Sequence, residues 1–176
     1  MVRELITREE FALKSISTWN NDWFLLTAGN FQQGKYNSMT ISWGSIGVIW
    51  GKPFVQVVVR PTRYTHEFIE NFPDFTICAF DEEFRRVLNR LGSKSGRDID
   101  KVRHSGLTPI SSREVSAPSF DEARLVIECR TMYKAPFDPK NFVSPEIESC
   151  YSAKDYHTCY YGEILHIEGK RTLYTS

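Results

Sequence analysis

Polar and apolar side chains alternate with a period of two between Asn37 and Trp43. Ser38, Thr40 and Ser42 fall on one side and Met39, Ile41 and Trp43 on the other, the pattern of a strand with one polar and one apolar face. Phe54 to Val59 is a short continuous apolar run ending in Arg60, as expected of a strand buried on both faces. Trp23 to Ala28, closed by Gly29-Asn30, and Phe75 to Phe80 add two more strands. Ala123 to Met132 alternates Leu125, Ile127 and Cys129 against Arg124, Val126, Glu128 and Arg130, which predicts a half-buried strand.

Helical periods are few. Phe84, Val87, Leu88 and Leu91 recur at i, i+3, i+4 and i+7, with Asp81 placed to cap the start and Gly92 to end the helix. A shorter helical pattern covers His66 to Phe72, and Thr7-Arg-Glu-Glu10 matches a capping box. Phe31 to Asn37, with Gln32, Gln33 and Gly34, reads as a loop, as does Pro136 to Pro145. Gly44, Gly47 and Gly51 punctuate strand-like sequence, and either a barrel corner or a ligand ring lying on the main chain would explain them.

Composition narrows the function classes. The 176 residues fit one domain, 1–176. Twenty-two Lys and Arg balance 22 Asp and Glu, so there is no basic surplus of the kind a general nucleic-acid binder uses. Acidic residues near the start and the lack of a long apolar run predict a soluble, cytoplasmic protein with no membrane span. Cys78, Cys129, Cys150 and Cys159 form no Cys-x-x-Cys pair, so no metal site is expected and four buried or semi-buried free thiols are. Aromatic residues make up 14% of the chain, a share that suits a β-rich fold and a planar ligand equally well.

The chemically pointed residues cluster after the third apolar run. Arg60, Thr62, Arg63 and Thr65 lie within one turn, and Thr65 precedes a helical pattern where it can act as N-cap, turning first-turn N–H groups toward an anion. Cations, hydroxyls and free amides together are what a phosphate monoester requires. Ordinary strand-end cations and an ordinary cap account for the same spacing, and sequence leaves both readings open. Ser93 to Lys101 lacks the Gly-x-x-x-x-Gly-Lys-Ser/Thr order of a triphosphate loop.

Several ordered motifs are more specific than any one of them. Asn37-Ser-Met-Thr-Ile-Ser-Trp43, Lys52-Pro53, Arg60-Pro-Thr-Arg-Tyr-Thr65, Phe75-Thr-Ile-Cys-Ala-Phe80 and Ser95-Gly-Arg-Asp-Ile-Asp-Lys101 together resemble the flavin reductase-like, FMN-binding split-barrel family, nearest its flavoredoxin branch. The likeness runs from about Trp23 to about Gly169. It implies a Greek-key split β-barrel with a few short helices, and a homodimer holding FMN non-covalently near the interface, reduced by NADH or NADPH. It also implies a set of FMN contacts: Met39, Thr40, Ile41, Ser42 and Trp43 about the ring, and Arg60, Thr62, Arg63, Tyr64, Thr65, Ser93, Lys94, Ser95 and Lys101 about the phosphate and ribityl chain. Val102-Arg-His104 departs from the family pattern, which places an aromatic there.

The late segment Asp155-Tyr-His-Thr-Cys-Tyr-Tyr-Gly-Glu163 resembles the family's last strand and makes His157 the catalytic candidate, on the nicotinamide side of the ring. A satisfied structural histidine is the competing reading. The function implied is an FMN-dependent oxidoreductase passing electrons from NAD(P)H to an acceptor, including an electron-transfer partner. The alternatives are a non-catalytic FMN carrier or store, and a barrel for another phosphorylated or aromatic ligand.

Overall fold

The computed structural model describes residues 2–175. Ten strands among the described residues form the framework: β1 (Glu4–Leu5), β2 (Phe24–Asn30), β3 (Lys35–Ile41), β4 (Gly44–Ile49), β5 (Lys52–Val59), β6 (Asp74–Ala79), β7 (Pro109–Ile110), β8 (Ser119–Phe120), β9 (Leu125–Pro136) and β10 (Thr158–Gly169). The α-helices are α1 (Ser15–Ser17), α2 (Tyr64–Asn71), α3 (Arg85–Ser93) and α4 (Arg171–Tyr174). The main sheet runs β3-β2-β6-β9-β10-β5-β4, with β1 also paired to β10, and β7 and β8 form a separate ribbon.

The sheet must curl. β3 and β4 lie at opposite ends of its order, yet only Ser42 and Trp43 separate them in the chain. Three virtual bonds of about 3.8 Å span at most roughly 11 Å, so the two ends come together. Among the described residues they do not pair, and the barrel is split along that seam.

Alternate residues of the strands fill the barrel. Phe24, Leu26, Val55, Val57, Val59, Phe75, Ile77, Leu125, Ile127 and Tyr160 form one buried cluster. A second lies outside it, where Leu25, Cys78 and Val126 meet Leu88 and Leu91 of α3 and Val102 and Phe120 of the following excursion. This second layer corrects the half-buried reading of Ala123 to Met132: every residue from Leu125 to Cys129 is buried, because α3 and the 102–120 segment cover the outer face. Even Glu128, 2% exposed, is paid for there by the backbone N–H groups of Arg113 and Glu114 at 2.9 and 2.7 Å. The Phe54 to Val59 run is buried on its inward side only at first, with Phe54 and Gln56 half-buried.

Other elements differ from the sequence reading in detail. The Phe31 loop ends at Gly34, since β3 already begins at Lys35 and pairs Tyr36 and Asn37 with Gly29 and Ala28. The predicted helix over 81–92 opens with a 3-10 turn at Glu82–Phe84 and runs through Gly92 to Ser93. Asp81 does not cap it with its side chain but pairs with Lys170 at 2.9 Å and Arg124 at 3.6 Å. Thr7 and Glu10 do make the reciprocal capping-box bonds, at 3.2 and 3.3 Å. Gly44 leaves no room for a side chain against the Trp19 ring and the Gln56 carbonyl, and Trp50-Gly51 turns β4 into β5 with φ of 52° and 71°. At Gly47 a side chain would crowd the Phe54 ring.

Cys78, Cys129 and Cys159 are buried free thiols, whereas Cys150 is exposed, against expectation. Burial pushes the Cys78 thiol up to about 12, so it is inert at neutral pH. No helix among the described residues is long and apolar enough to cross a membrane, and no cluster of three metal-ligating side chains occurs among them.

Candidate functional site

Two clefts gather the residues named from sequence. The larger, of about 220 Å³, is lined by Met39, Thr40 and Ile41 at the end of β3, by Ser42 and Trp43 in the two-residue connection, and by Val58, Arg60 and His157. The smaller, of about 90 Å³, is lined by Thr62, Arg63, Tyr64 and Thr65 at the start of α2 and by Ser93, Lys94, Ser95, Gly96 and Lys101 after α3. At roughly 30 Å³ per water, the smaller cleft has room for a phosphoryl-sized group. The residues named from sequence therefore fall round two clefts and not one.

Local structure sets each position. Thr40 donates its hydroxyl to the Leu88 carbonyl at 2.5 Å and packs beneath Gly92, fastening α3 across β3 and placing the 93–101 loop beside α2. Gly96 fits only because it has no side chain, since a Cβ would meet Asn37 and the Tyr64 ring. Tyr64 is flanked by Phe68 at 5.0 Å and by the Arg97 guanidinium at 5.1 Å. Arg97 in turn bonds the Thr62 carbonyl at 3.1 Å and pairs with Glu67 at 2.5 Å, so it secures the turn instead of its neighbours Asp98 and Asp100.

Two expectations are corrected. Thr65 is not the N-cap of its helix: α2 begins at Tyr64, Arg63 occupies the cap, and no side chain caps it. The Thr65 hydroxyl instead accepts from the Asn37 amide at 2.6 Å, with both residues buried. Arg60 does not converge with Thr62, Arg63 and Thr65 on the smaller cleft. Its guanidinium is held in the larger one by Asp155 at 2.5 Å, the Cys150 carbonyl at 2.8 Å and the face of Tyr151 at 5.1 Å. The physical reason is that β5 ends at Val59 beside the start of β10, so the first residue of the turn meets the 150–157 segment before the chain swings away to α2.

The smaller cleft has the electrostatics of an anion site. Lys101 is 3% exposed, and its ammonium donates to the carbonyls of Leu91 at 2.8 Å and Lys94 at 3.1 Å. One of its three protons is left for the cleft. Arg63 bonds the Gly92 carbonyl, and neither cation has a carboxylate partner among the described residues. Burial first, then the charge of Arg63, lowers the Lys101 ammonium to about 8, and burial followed by the charge of Arg60 lowers Arg63. Cations that repel one another in a small cleft of hydroxyls and helix-start amides suit a doubly charged phosphoryl group. Ser93 and Ser95 also bond nearby backbone, to the Arg90 carbonyl at 3.4 Å and from the Arg97 N–H at 3.2 Å.

The larger cleft carries the aromatic side chains. Trp43 is 49% exposed, and its ring lies 5.3 Å from that of His157, whereas Trp19 is core and Trp23 stacks on Arg85. His157 is 8% exposed, and burial, then the charge of Arg60, drops it to about 4. Its imidazole is thus neutral at pH 7. Sequence reasoning missed Asp155, Tyr151 and Asn37 as parts of this framework. Asp155 stands in the same motif as His157, but nothing local ties it to Arg60, 95 positions earlier.

Comparison with known proteins adds to this geometry. The family model described as "Flavin reductase like domain" matches residues 17–175. An uncharacterized protein of Pyrococcus abyssi is 30% identical over 145 residues, covering 81% of this chain and 70% of that protein. The flavoredoxin of Desulfovibrio vulgaris superposes with a TM-score of 0.66 at 22% identity, over 98% of this chain and 78% of that one. An FMN-binding domain of a flavin reductase-like enzyme from Shewanella baltica superposes with a TM-score of 0.63 at 18% identity, over 91% and 78%.

Proposed function

The chain belongs to the flavin reductase-like family, and from that premise we propose that it is a flavin-dependent oxidoreductase which binds FMN non-covalently and passes electrons from NADH or NADPH to an acceptor. The observation that carries this reading is a cation cleft beside the turn that also lines an aromatic one: Lys101, buried and without a carboxylate partner among the described residues, sits with Arg63 beside hydroxyls, and Arg60, two positions before Thr62, lines the cleft of Trp43 and His157.

In this reading Arg63, Lys101, Ser93, Ser95 and the amides at the start of α2 hold the phosphate. Thr62, Lys94 and Tyr64 close the same cleft, while Asn37 keeps Thr65 in place. Met39 to Ser42 present main-chain groups and Trp43 an aromatic face to the ring, which keeps water from one side of it. Arg60 works at one remove. Its positive charge, partly offset by Asp155, biases the larger cleft toward a reduced, anionic ring. A bound flavin supplies the hydride-accepting and electron-releasing chemistry, for which no side chain of the protein is suited. His157, neutral at pH 7, offers a hydrogen bond on the side where a nicotinamide would approach.

The support is the donor set and family membership together. Cytoplasmic location and a homodimer with the flavin near its interface belong to the same proposal and are checked by fractionation and by sedimentation of the flavin-loaded protein. The activity is tested by loading purified protein with FMN and adding NADH or NADPH without oxygen. Bleaching of the flavin absorbance is expected at a rate well above that of free FMN. Uptake of FMN without bleaching by either nucleotide would leave an electron carrier, and failure to take up FMN would overturn the reading.

A further inference from the structure

Behind His157, which lines the larger cleft, stands a buried tyrosine. Tyr151 is 3% exposed, and its hydroxyl lies 2.9 Å from Nδ1 of His157. The phenolic oxygen has no other hydrogen-bond partner among the described residues. Were Nδ1 to carry the proton and donate, the buried phenolic O–H would be left without an acceptor, whereas donation from the phenol to Nδ1 satisfies it. Burial raises the Tyr151 phenol, so the proton stays on it. An unpaired buried O–H would be costly.

The tautomer follows from this. A neutral imidazole that accepts at Nδ1 carries its own proton on Nε2. The charged groups around it are Arg60, Arg63 and Asp155, of which the two arginines oppose imidazole protonation and Asp155 favours it. The ring is also fixed in orientation, with Trp43 at 5.3 Å and Tyr151 at 5.5 Å, the latter at 78°. Tyr151 is itself clamped, stacked on Phe142 at 5.8 Å and 11° and covered by Arg60 at 5.1 Å.

We infer that Tyr151 is a positioning residue that fixes His157 as its Nε2–H tautomer, so that the larger cleft presents a neutral hydrogen-bond donor to a carbonyl oxygen of its ligand. The identity of the ligand rests on the functional reading above, while the tautomer does not. Two carbonyl sources fit that reading, the flavin ring and the carboxamide of a nicotinamide.

Long-range proton–nitrogen spectra of the imidazoles test it, with His157→Gln used to assign the signal. In the free protein at pH 7, Nδ1 of His157 is expected at the position of an unprotonated nitrogen and Nε2 at that of a protonated one. In Tyr151→Phe the two positions should converge as the tautomers mix. A proton found on Nδ1 in the unaltered protein overturns the inference, and so does an unchanged tautomer in a folded Tyr151→Phe. FMN and then oxidised NAD are added next. A shift of the Nε2 proton with FMN alone assigns the acceptor to the flavin, a shift only after NAD assigns it to the carboxamide, and no shift with either removes the donor role. If FMN fails to bind, the functional reading falls while the free-protein spectra still decide the tautomer.

Discussion

Arg60 and Asp155 face each other at 2.5 Å, both largely sheltered, across 95 positions of sequence. The pair ties the end of β5 to the segment that roofs the larger cleft, and Thr62 reaches the other Asp155 oxygen at 3.4 Å. Removing one partner leaves the other partly desolvated, a loss of about 1–3 kcal/mol. In a cycle of Arg60→Met, Asp155→Asn and the double variant, urea unfolding should give a coupling above about 1 kcal/mol. Additive effects would mean that the contact is a crossing of surface side chains and nothing more.

Lys101 makes two opposite pH dependences. Its ammonium is held at about 8 against an ordinary 10.5, so between those values the unfolded chain binds the extra proton. Stability of the ligand-free protein should therefore rise with pH across that window. Affinity for a phosphate that needs the charged amine should fall as pH climbs through about 8, while affinity for riboflavin stays flat. Lys101→Met should weaken FMN binding by about 1.5–3 kcal/mol, the range for a charged hydrogen bond, and abolish the slope. Fluorescence titration of FMN and riboflavin from pH 7 to 9.5 measures both, and parallel curves would remove Lys101 from the phosphate site.

Thr65 owes its place to Asn37 and not to a cap. Thr65→Val leaves the buried Asn37 amide without that acceptor, for which a loss of about 1–3 kcal/mol is expected. Thr65→Ser should restore most of it. Were the residue an N-cap, Thr65→Asn or Thr65→Asp would be tolerated equally well. Here both should destabilise, as thermal unfolding of the four variants will show.

Gly162 is needed because β10 crosses the ring of Phe75 and the Cβ of Cys129 there. Gly162→Ala overpacks the barrel at a fully buried point, with an expected cost of about 1–3 kcal/mol. Gly34→Ala, at an open turn with nothing within 4 Å, serves as the comparison, since its φ of 64° brings only the conformational penalty of about 1 kcal/mol. Equal urea midpoints for the two would contradict the packing seen at Gly162.

Much of this protein was written in local periods. Alternation marked β3, the apolar run marked β5, and the i, i+3, i+4 stripe marked α3, because side-chain direction along a strand or helix repeats regardless of what packs on it. The cations and hydroxyls of the site were legible for the same reason, as residue types gathered at turns. Their partners were not. Only the pairing of β5 with β10 carried Asp155 and Tyr151 to Arg60, and only tertiary packing turned Thr65 toward Asn37 and laid a second apolar layer over Leu125 to Cys129 so that this part of β9 was buried on both faces. Those choices depend on which distant segment reaches a group first and shields it from water, and a chain's local pattern contains no record of that.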